Sequence, residues 1–402
     1  MKKVILITNS YPYGNGETYI YPELEYIHDK QEVIIIPMGY NGTPCRRAVQ
    51  DNIKILFPKK VKNSKITQGI KSIFSKPFFC GVIEMICDKK FCLKITKELL
   101  KFVYASRIHY YSIIEALNDY GIDDFSECIF YSYWMDSTSL AVTYFKKFDC
   151  KTVTRCHGGD LYDDRLPWKY QLLRKYITEH IDYVCPVSYQ GKEYLNRRIG
   201  LHSNIIPMHL GIIDNGVASY DDGGIPIIVS CSSIIPLKRI NLIIDALSFC
   251  KSKYKWVHFG EGSNMKQIKE YADEKLQNKD FVFEGSKSNH EVLKYYKHNN
   301  IKLFVNASNT EGVPVSIMEA LSFGIPCVAT NVGGVGELID DGKNGRLVAA
   351  DVSAHSLALA IDSILLLNGK EYEELRNNSR KSFLNDWNNE INYKKFYSLI
   401  NS

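Results

Sequence analysis

Short apolar runs alternate with stretches of helical period from one end of the chain to the other. The runs fall at residues 4–8, 33–37, 129–133, 151–155, 183–186 and 205–206 in the first half. In the second half they fall at 227–230, 256–259, 281–283, 303–305, 326–329 and 347–348. Strands covered by helices on both faces read as continuous apolar runs, so a parallel sheet is the natural host for them. Apolar residues spaced three and four apart predict helices over 240–251, 265–276, 291–299 and 315–323. Gly324 stands where a helix C′ residue belongs, and Pro326 prevents continuation. Between Leu210 and Ile225 the pattern lapses. Gly211, Gly216, Gly223, Gly224 and the pair Asp221-Asp222 crowd this stretch, which reads as an interdomain linker.

A chain of 402 residues exceeds one ordinary core. The expected fold class is therefore α/β, with two Rossmann-like doubly wound domains facing across a cleft. The first domain is expected over 1–211, a linker over 212–224, the second domain over 225–385, and a terminal helix crossing back to the first domain over 386–402. In such sheets ligands bind outside the carboxyl ends of the strands, so the residues just after each strand carry the chemistry.

Composition narrows the class. The 45% hydrophobic and 24% charged content is that of a water-soluble globular protein, and no apolar run approaches the length of a membrane span. The basic start Met1-Lys2-Lys3 precedes too short an apolar stretch for a signal peptide. Eleven scattered cysteines without Cys-x-x-Cys fit reduced thiols, so a cytoplasmic location is expected. The net charge of +5 is unevenly placed: 12 lysines face three acids between Lys54 and Lys101, interleaved with apolar residues. That segment is either a peripheral contact with the inner face of a membrane or a solvated face over a buried stripe. No nucleic-acid motif accompanies the charge, and nucleic acid is not expected as a partner.

Four clusters follow strands. Glu311-Gly312-Val313-Pro314-Val315-Ser316 leads into a helix carrying Glu319. Two carboxylates at this spacing can face one crevice, Gly312 allows close backbone approach, and the helix start at Val315 offers free amides to a phosphate. Spacing alone is equally satisfied by an amphipathic helix with a solvated Glu319. Lys238 and Arg239 follow the 227–230 strand and would be disfavoured at a helix N-terminus without an anionic partner. Arg155-Cys156-His157-Gly158-Gly159-Asp160 follows the 151–155 strand, where His157 is either a structural hydrogen-bonder or a reactive group and Asp160 a turn residue or an acceptor contact. The loop with Gly14 and Gly16 is only a fragment of a dinucleotide fingerprint. Trp134 is a core aromatic or a stacking platform for an acceptor sugar.

The stretch from Val305 to Gly345 resembles the donor-binding signature of the retaining GT-B glycosyltransferases of family four. It has two carboxylates separated by seven residues, then Gly324-Ile325-Pro326, then Val332-Gly333-Gly334-Val335-Gly336-Glu337. The likeness extends to Arg155-x-His157-Gly158-x-Asp160-x-Tyr162, which is similar to the bacterial exopolysaccharide and capsule branch. The resemblance implies that Glu311 holds donor-sugar hydroxyls and Glu319 the ribose. It implies Lys238 on the leaving diphosphate and His157 beside the reacting sugar, its carbonyl shielding developing positive charge. Ser233 stands where the family places an arginine, and Arg239 is a substitute candidate. Gly14, Gly16, Gly285, Gly312, Val313 and Val315 complete the implied donor-binding set, with Gly260-Glu261-Gly262 lining a neighbouring loop. Trp134 and Asp160 are the acceptor candidates.

The expected function is retaining transfer from a nucleoside-diphosphate sugar, UDP favoured, to a lipid-linked or other glycan acceptor in surface-polysaccharide synthesis. No cofactor or metal is expected, since Asp-x-Asp and clustered metal ligands are absent. Because Ser233 removes a charge, a non-catalytic sugar-nucleotide-binding subunit of a larger transferase complex is the alternative.

Overall fold

The computed structural model describes every residue except 1, 15, 43–45, 60–64 and 222. Asn15, Asp222 and part of the lysine-rich segment, Lys60 and Lys62 included, thus lie outside the described residues. The chain divides into two compact units. One is Met1–Leu210 with Asn392–Ser402, the other Gly211–Ile391.

The first unit is built on a six-stranded parallel sheet of β1 (Lys3–Thr8), β2 (Val33–Pro37), β3 (Lys54–Ile55), β4 (Cys128–Ser132), β5 (Lys151–Cys156) and β6 (Tyr183–Pro186). Its order is β3-β2-β1-β4-β5-β6. The order reverses between β1 and β4, and at such a switch point the following loops diverge to either face and leave a crevice. Alternate residues of β1 serve opposite cores: Ile5 and Ile7 pack with Met85, Leu99 and Val103, while Val4 and Leu6 pack with Tyr393, Phe396 and Ile400. Burial on both faces explains why β1 is apolar at every position from Val4 to Ile7.

The second unit repeats the plan with β7 (Ile227–Cys231), β8 (Lys255–Phe259), β9 (Asp280–Gly285), β10 (Ile301–Asn306), β11 (Cys327–Thr330) and β12 (Gly345–Val348), in the order β12-β11-β10-β7-β8-β9. Here the switch point lies between β7 and β10. The helix Val315–Ser322 ends at Phe323, and Gly324 takes the expected left-handed conformation with φ 74°.

Some expectations are corrected. The run at 205–206 forms only an isolated parallel bridge between Ile205 and Val184. The two-residue edge strand β3 is too short to show periodicity. The aperiodic segment 212–224 is not a free linker. Ile212 bridges Asn388 and the Ala218 amide donates to Phe323 O at 3.1 Å, so the segment packs within the second unit.

The closing helix Asn389–Ile400 leads the chain onto the first unit. There the buried Arg155 donates from Nε to the Tyr131 hydroxyl at 2.6 Å and from Nη1 to Met208 O at 3.0 Å, while Nε lies 3.7 Å from Glu23. Its guanidinium stacks 4.2 Å from the Phe396 ring, and Tyr397 donates to Glu23 at 3.0 Å. Burial raises the Glu23 carboxyl above its usual range, against the pull of Arg155 and two tyrosine hydroxyls. Removing one member leaves the other uncompensated. Arg155→Met is expected to lower stability by about 3 kcal/mol or more, with part of the loss recovered in Glu23→Gln/Arg155→Met. Denaturant midpoints of the two variants check this, and equal losses in the single and double variants would show that the pair does not act as a unit.

Candidate functional site

In the second unit, the loops leaving β7 and β10 bring two predicted residues into contact. Lys238 ends a short 3₁₀ turn, Pro236–Lys238, and Glu311 lies in the loop between β10 and the helix Val315–Ser322. Lys238 Nζ donates to Glu311 Oε1 at 2.5 Å, and Asn306 Nδ2 reaches the same oxygen at 3.4 Å. The lysine remains partly open to solvent, whereas the carboxylate is mostly buried. Val313 and Pro314 are buried behind Glu311, while Gly312, Val315 and Ser316 stay partly accessible. No side chain caps the helix start at Pro314, so the first amides, Val315 and Ser316, remain for an anion beside Lys238.

What holds Glu311 is backbone against backbone. Gly334 N donates to Gly312 O at 2.6 Å, and Gly333, at φ 55°, passes so close to Glu311 O that a Cβ would overlap it. Only glycine fits there, which gives the Val332-Gly333-Gly334 turn its reason. The same device acts at Gly260, whose Cβ would strike Ser232 O, and Gly260 N donates to Gly285 O at 2.9 Å. The loops after β7, β8 and β9, with Gly260, Glu261 and Gly285, are thus stacked into one edge.

Glu319 is buried in the helix, and Asn289 Nδ2 donates to its Oε1 at 2.6 Å. Burial raises its pKa to about 7, with the Asn289 bond opposing. Asn289 was not legible in the sequence, because it is simply the first residue of the helix Asn289–His298 after the Ser288 cap.

One candidate does not fit its expected role. Arg239, at φ 47°, turns its guanidinium onto the carbonyls of Ala307, Ser308 and Ala350, so it braces the Glu311 loop and is not aimed at a donor. Ser233 is exposed.

In the first unit, His157 lies at the end of β5 among aromatic rings. Tyr133 stacks at 4.9 Å, Trp134 lies at 4.7 Å and Tyr19 at 5.7 Å, centroid to centroid. Neither ring nitrogen has a hydrogen-bond partner among the described residues. Burial, reinforced by the Arg155 charge, lowers its pKa to about 3, so the imidazole is neutral at physiological pH. Its carbonyl already accepts from Leu161 N at 2.9 Å. Asp160 accepts from the amides of Met135 and His157, both at 2.6 Å, and is buried. It is a turn residue that positions His157, not a free acceptor contact.

Trp134 is tied through Nε1 to Glu17 at 2.6 Å. Glu17 also accepts from the amides of Asn9, Ser10 and Tyr11 at 2.9, 2.7 and 2.7 Å, folding the loop that carries Gly14 and Gly16. Arg47 closes the loop by donating to the carbonyls of both glycines. Glu17 and Arg47 were missed because nothing in their spacing marks a carboxylate or a guanidinium that binds main chain.

With this geometry in hand, the comparisons can be placed. Residues 219–382 match the family described as glycosyl transferases group 1. The matched residues fall within the second unit, Gly211–Ile391. An uncharacterized glycosyltransferase of Methanocaldococcus jannaschii is 26% identical over 238 residues, 59% of this chain and 64% of that one. A putative colanic acid biosynthesis glycosyltransferase of Salmonella typhimurium is 26% identical over 44% of this chain and 45% of its own length. The chain therefore spans less than two thirds of these relatives. The solved structure of Anabaena HepE in complex with UDP and glucose superposes with a TM-score of 0.66 at 13% identity, covering 100% of both chains. The architecture is that of the GT-B glycosyltransferases, with two Rossmann-like domains. The matched residues include Lys238, Glu311 and Glu319.

The raised pKa of Glu319 has a consequence for stability. With an ordinary glutamate value of 4.5, the unfolded chain releases this proton at lower pH than the folded chain does. Stability is unaffected below pH 4.5, falls as pH rises toward 7, and stays reduced above it, by at most about 3 kcal/mol. Glu319→Gln should therefore melt above the unmodified chain at pH 8, with the gap closing toward pH 5. A gap independent of pH would contradict the burial account.

Proposed function

We propose that the chain is a retaining, metal-independent glycosyltransferase that moves a sugar from a nucleoside-diphosphate sugar to a glycan acceptor in the building of a surface polysaccharide. The contact between Lys238 and Glu311 carries this reading. Each satisfies the other in this structure. A sugar nucleotide offers each a better partner, with the diphosphate for Lys238 and the amides of Val315 and Ser316, and sugar hydroxyls for Glu311. Glu319, drawn to ionise by a vicinal diol, accepts the ribose hydroxyls. UDP is favoured as the nucleotide, in keeping with the UDP and glucose named with the HepE structure, and the colanic acid relative supports a polysaccharide product.

Transfer breaks the bond between the anomeric carbon and the diphosphate oxygen and forms one to an acceptor hydroxyl, whose proton passes to the departing phosphate. Lys238 stabilises charge on that leaving group, an effect realised most fully in the transition state. His157, neutral and without hydrogen bonds at its ring, adds no positive charge to a sugar beside it.

The exposed, uncharged Ser233 favours one second reading, a domain that binds sugar nucleotides without transferring. Incubation with a panel of UDP-sugars, read as released UDP, separates the two. The proposal predicts turnover that falls about a hundred- to thousandfold in Lys238→Ala and in Glu311→Ala. Nucleotide binding with no turnover would favour the second reading, and undiminished turnover in both variants would refute the assigned roles.

A further inference from the structure

The lysine-rich segment takes no part in the donor site. It forms three helices of the first unit, Lys65–Ile73, Lys76–Cys87 and Leu93–Asp119. Their inward sides give Met85, Leu99 and Val103 to the core. Their outward sides are also apolar. Phe74 and Leu93 are each 74% exposed, and Phe79, Ile83 and Ile86, spaced four and three apart along one helix face, are more than half exposed. Core packing does not account for such a stripe, and exposed apolar surface on this scale marks an interaction site.

The charges around it are of one sign. Lys71, Lys76, Lys89, Lys90, Lys94 and Lys97 are exposed and have no carboxylate partner among the described residues. The three acids of the segment are all engaged. Asp88 pairs with Arg198 at 2.6 Å, Glu98 with Lys101 at 2.8 Å, and Glu84, pushed up to about 7 by burial, accepts from Tyr176 N at 2.9 Å. Lys89 holds φ 58° where the helix Lys76–Cys87 gives way, a position that glycine fills without strain. No arginine lies between Arg47 and Arg107. Lysine's flexible stem suits a charge that must reach outward from an apolar surface to a phosphate, whereas arginine's planar fork and stacking suit nucleic acid.

We propose that this face docks the chain on an anionic phospholipid surface, with the Phe79, Ile83 and Ile86 stripe in the headgroup–acyl boundary and the lysines on lipid phosphates. The inference is independent of the donor-site reading, since none of its residues belongs to the second unit.

Co-sedimentation of the full chain with phosphatidylcholine vesicles, with and without phosphatidylglycerol, tests it. Binding is expected only with the anionic lipid and should weaken with salt. Lys89→Gln/Lys90→Gln should reduce it about thirtyfold, from roughly a fivefold contribution per lysine. Phe79→Ser/Ile83→Ser should reduce it at least about tenfold. Unchanged thermal melts would show that both variants stay folded, since these side chains are outside the core. No binding to either vesicle, equal binding by the variants, or self-association lost in Phe79→Ser/Ile83→Ser without vesicle binding would each overturn the proposal.

Discussion

The contact between Lys238 and Glu311 joins residues 73 positions apart in sequence, and it exists because β7 and β10 are neighbours in the second sheet. A doubly wound sheet reverses its order at that pair, so the loops leaving the two strands part to opposite faces and leave a crevice at the carboxyl edge. The cation arrives on one loop and the carboxylate on the other. Everything else in the site either holds these two loops in place or lines the space beside them.

The holding is done mostly by main chain. Gly333 lets the turn after β11 pass against the carbonyl of Glu311, Gly260 lets the loop after β8 pass against Ser232, and Arg239 fastens three carbonyls on either side. Such contacts have little rotamer freedom to lose, so they fix a loop more firmly than long side chains would. The charged groups left over are the ones a ligand can use. Glu319 is held buried at a cost in stability, an arrangement characteristic of binding sites.

Much of this was legible in the sequence. The continuous apolar runs gave eleven of the strand positions closely, since a strand buried on both faces leaves a run of Val and Ile that composition alone exposes. The resemblance carried by Glu311, Glu319 and the glycines after them pointed to the loop that brings Glu311 onto Lys238. What stayed hidden shares one cause: its logic is not periodic. The strand β3 is two residues long. Glu17, Arg47 and Asn289 act through main-chain or single side-chain partners far away in sequence, which no local spacing announces. Asp160 and Arg239 carried the right charge for a ligand but are engaged by main-chain groups, a distinction that only coordinates make. The lysine-rich segment left two readings open because both require the same periodicity, and only side-chain exposure separates a buried stripe from an outward one.

The central claim is that a sugar nucleotide takes the place each charged partner now fills for the other. A crystal structure of the chain with UDP tests it most directly. The account predicts the diphosphate beside Val315 and Ser316, Lys238 turned from Glu311 onto a phosphate oxygen, and the ribose hydroxyls on Glu319. A nucleotide bound elsewhere, with Lys238 still on Glu311, would contradict it.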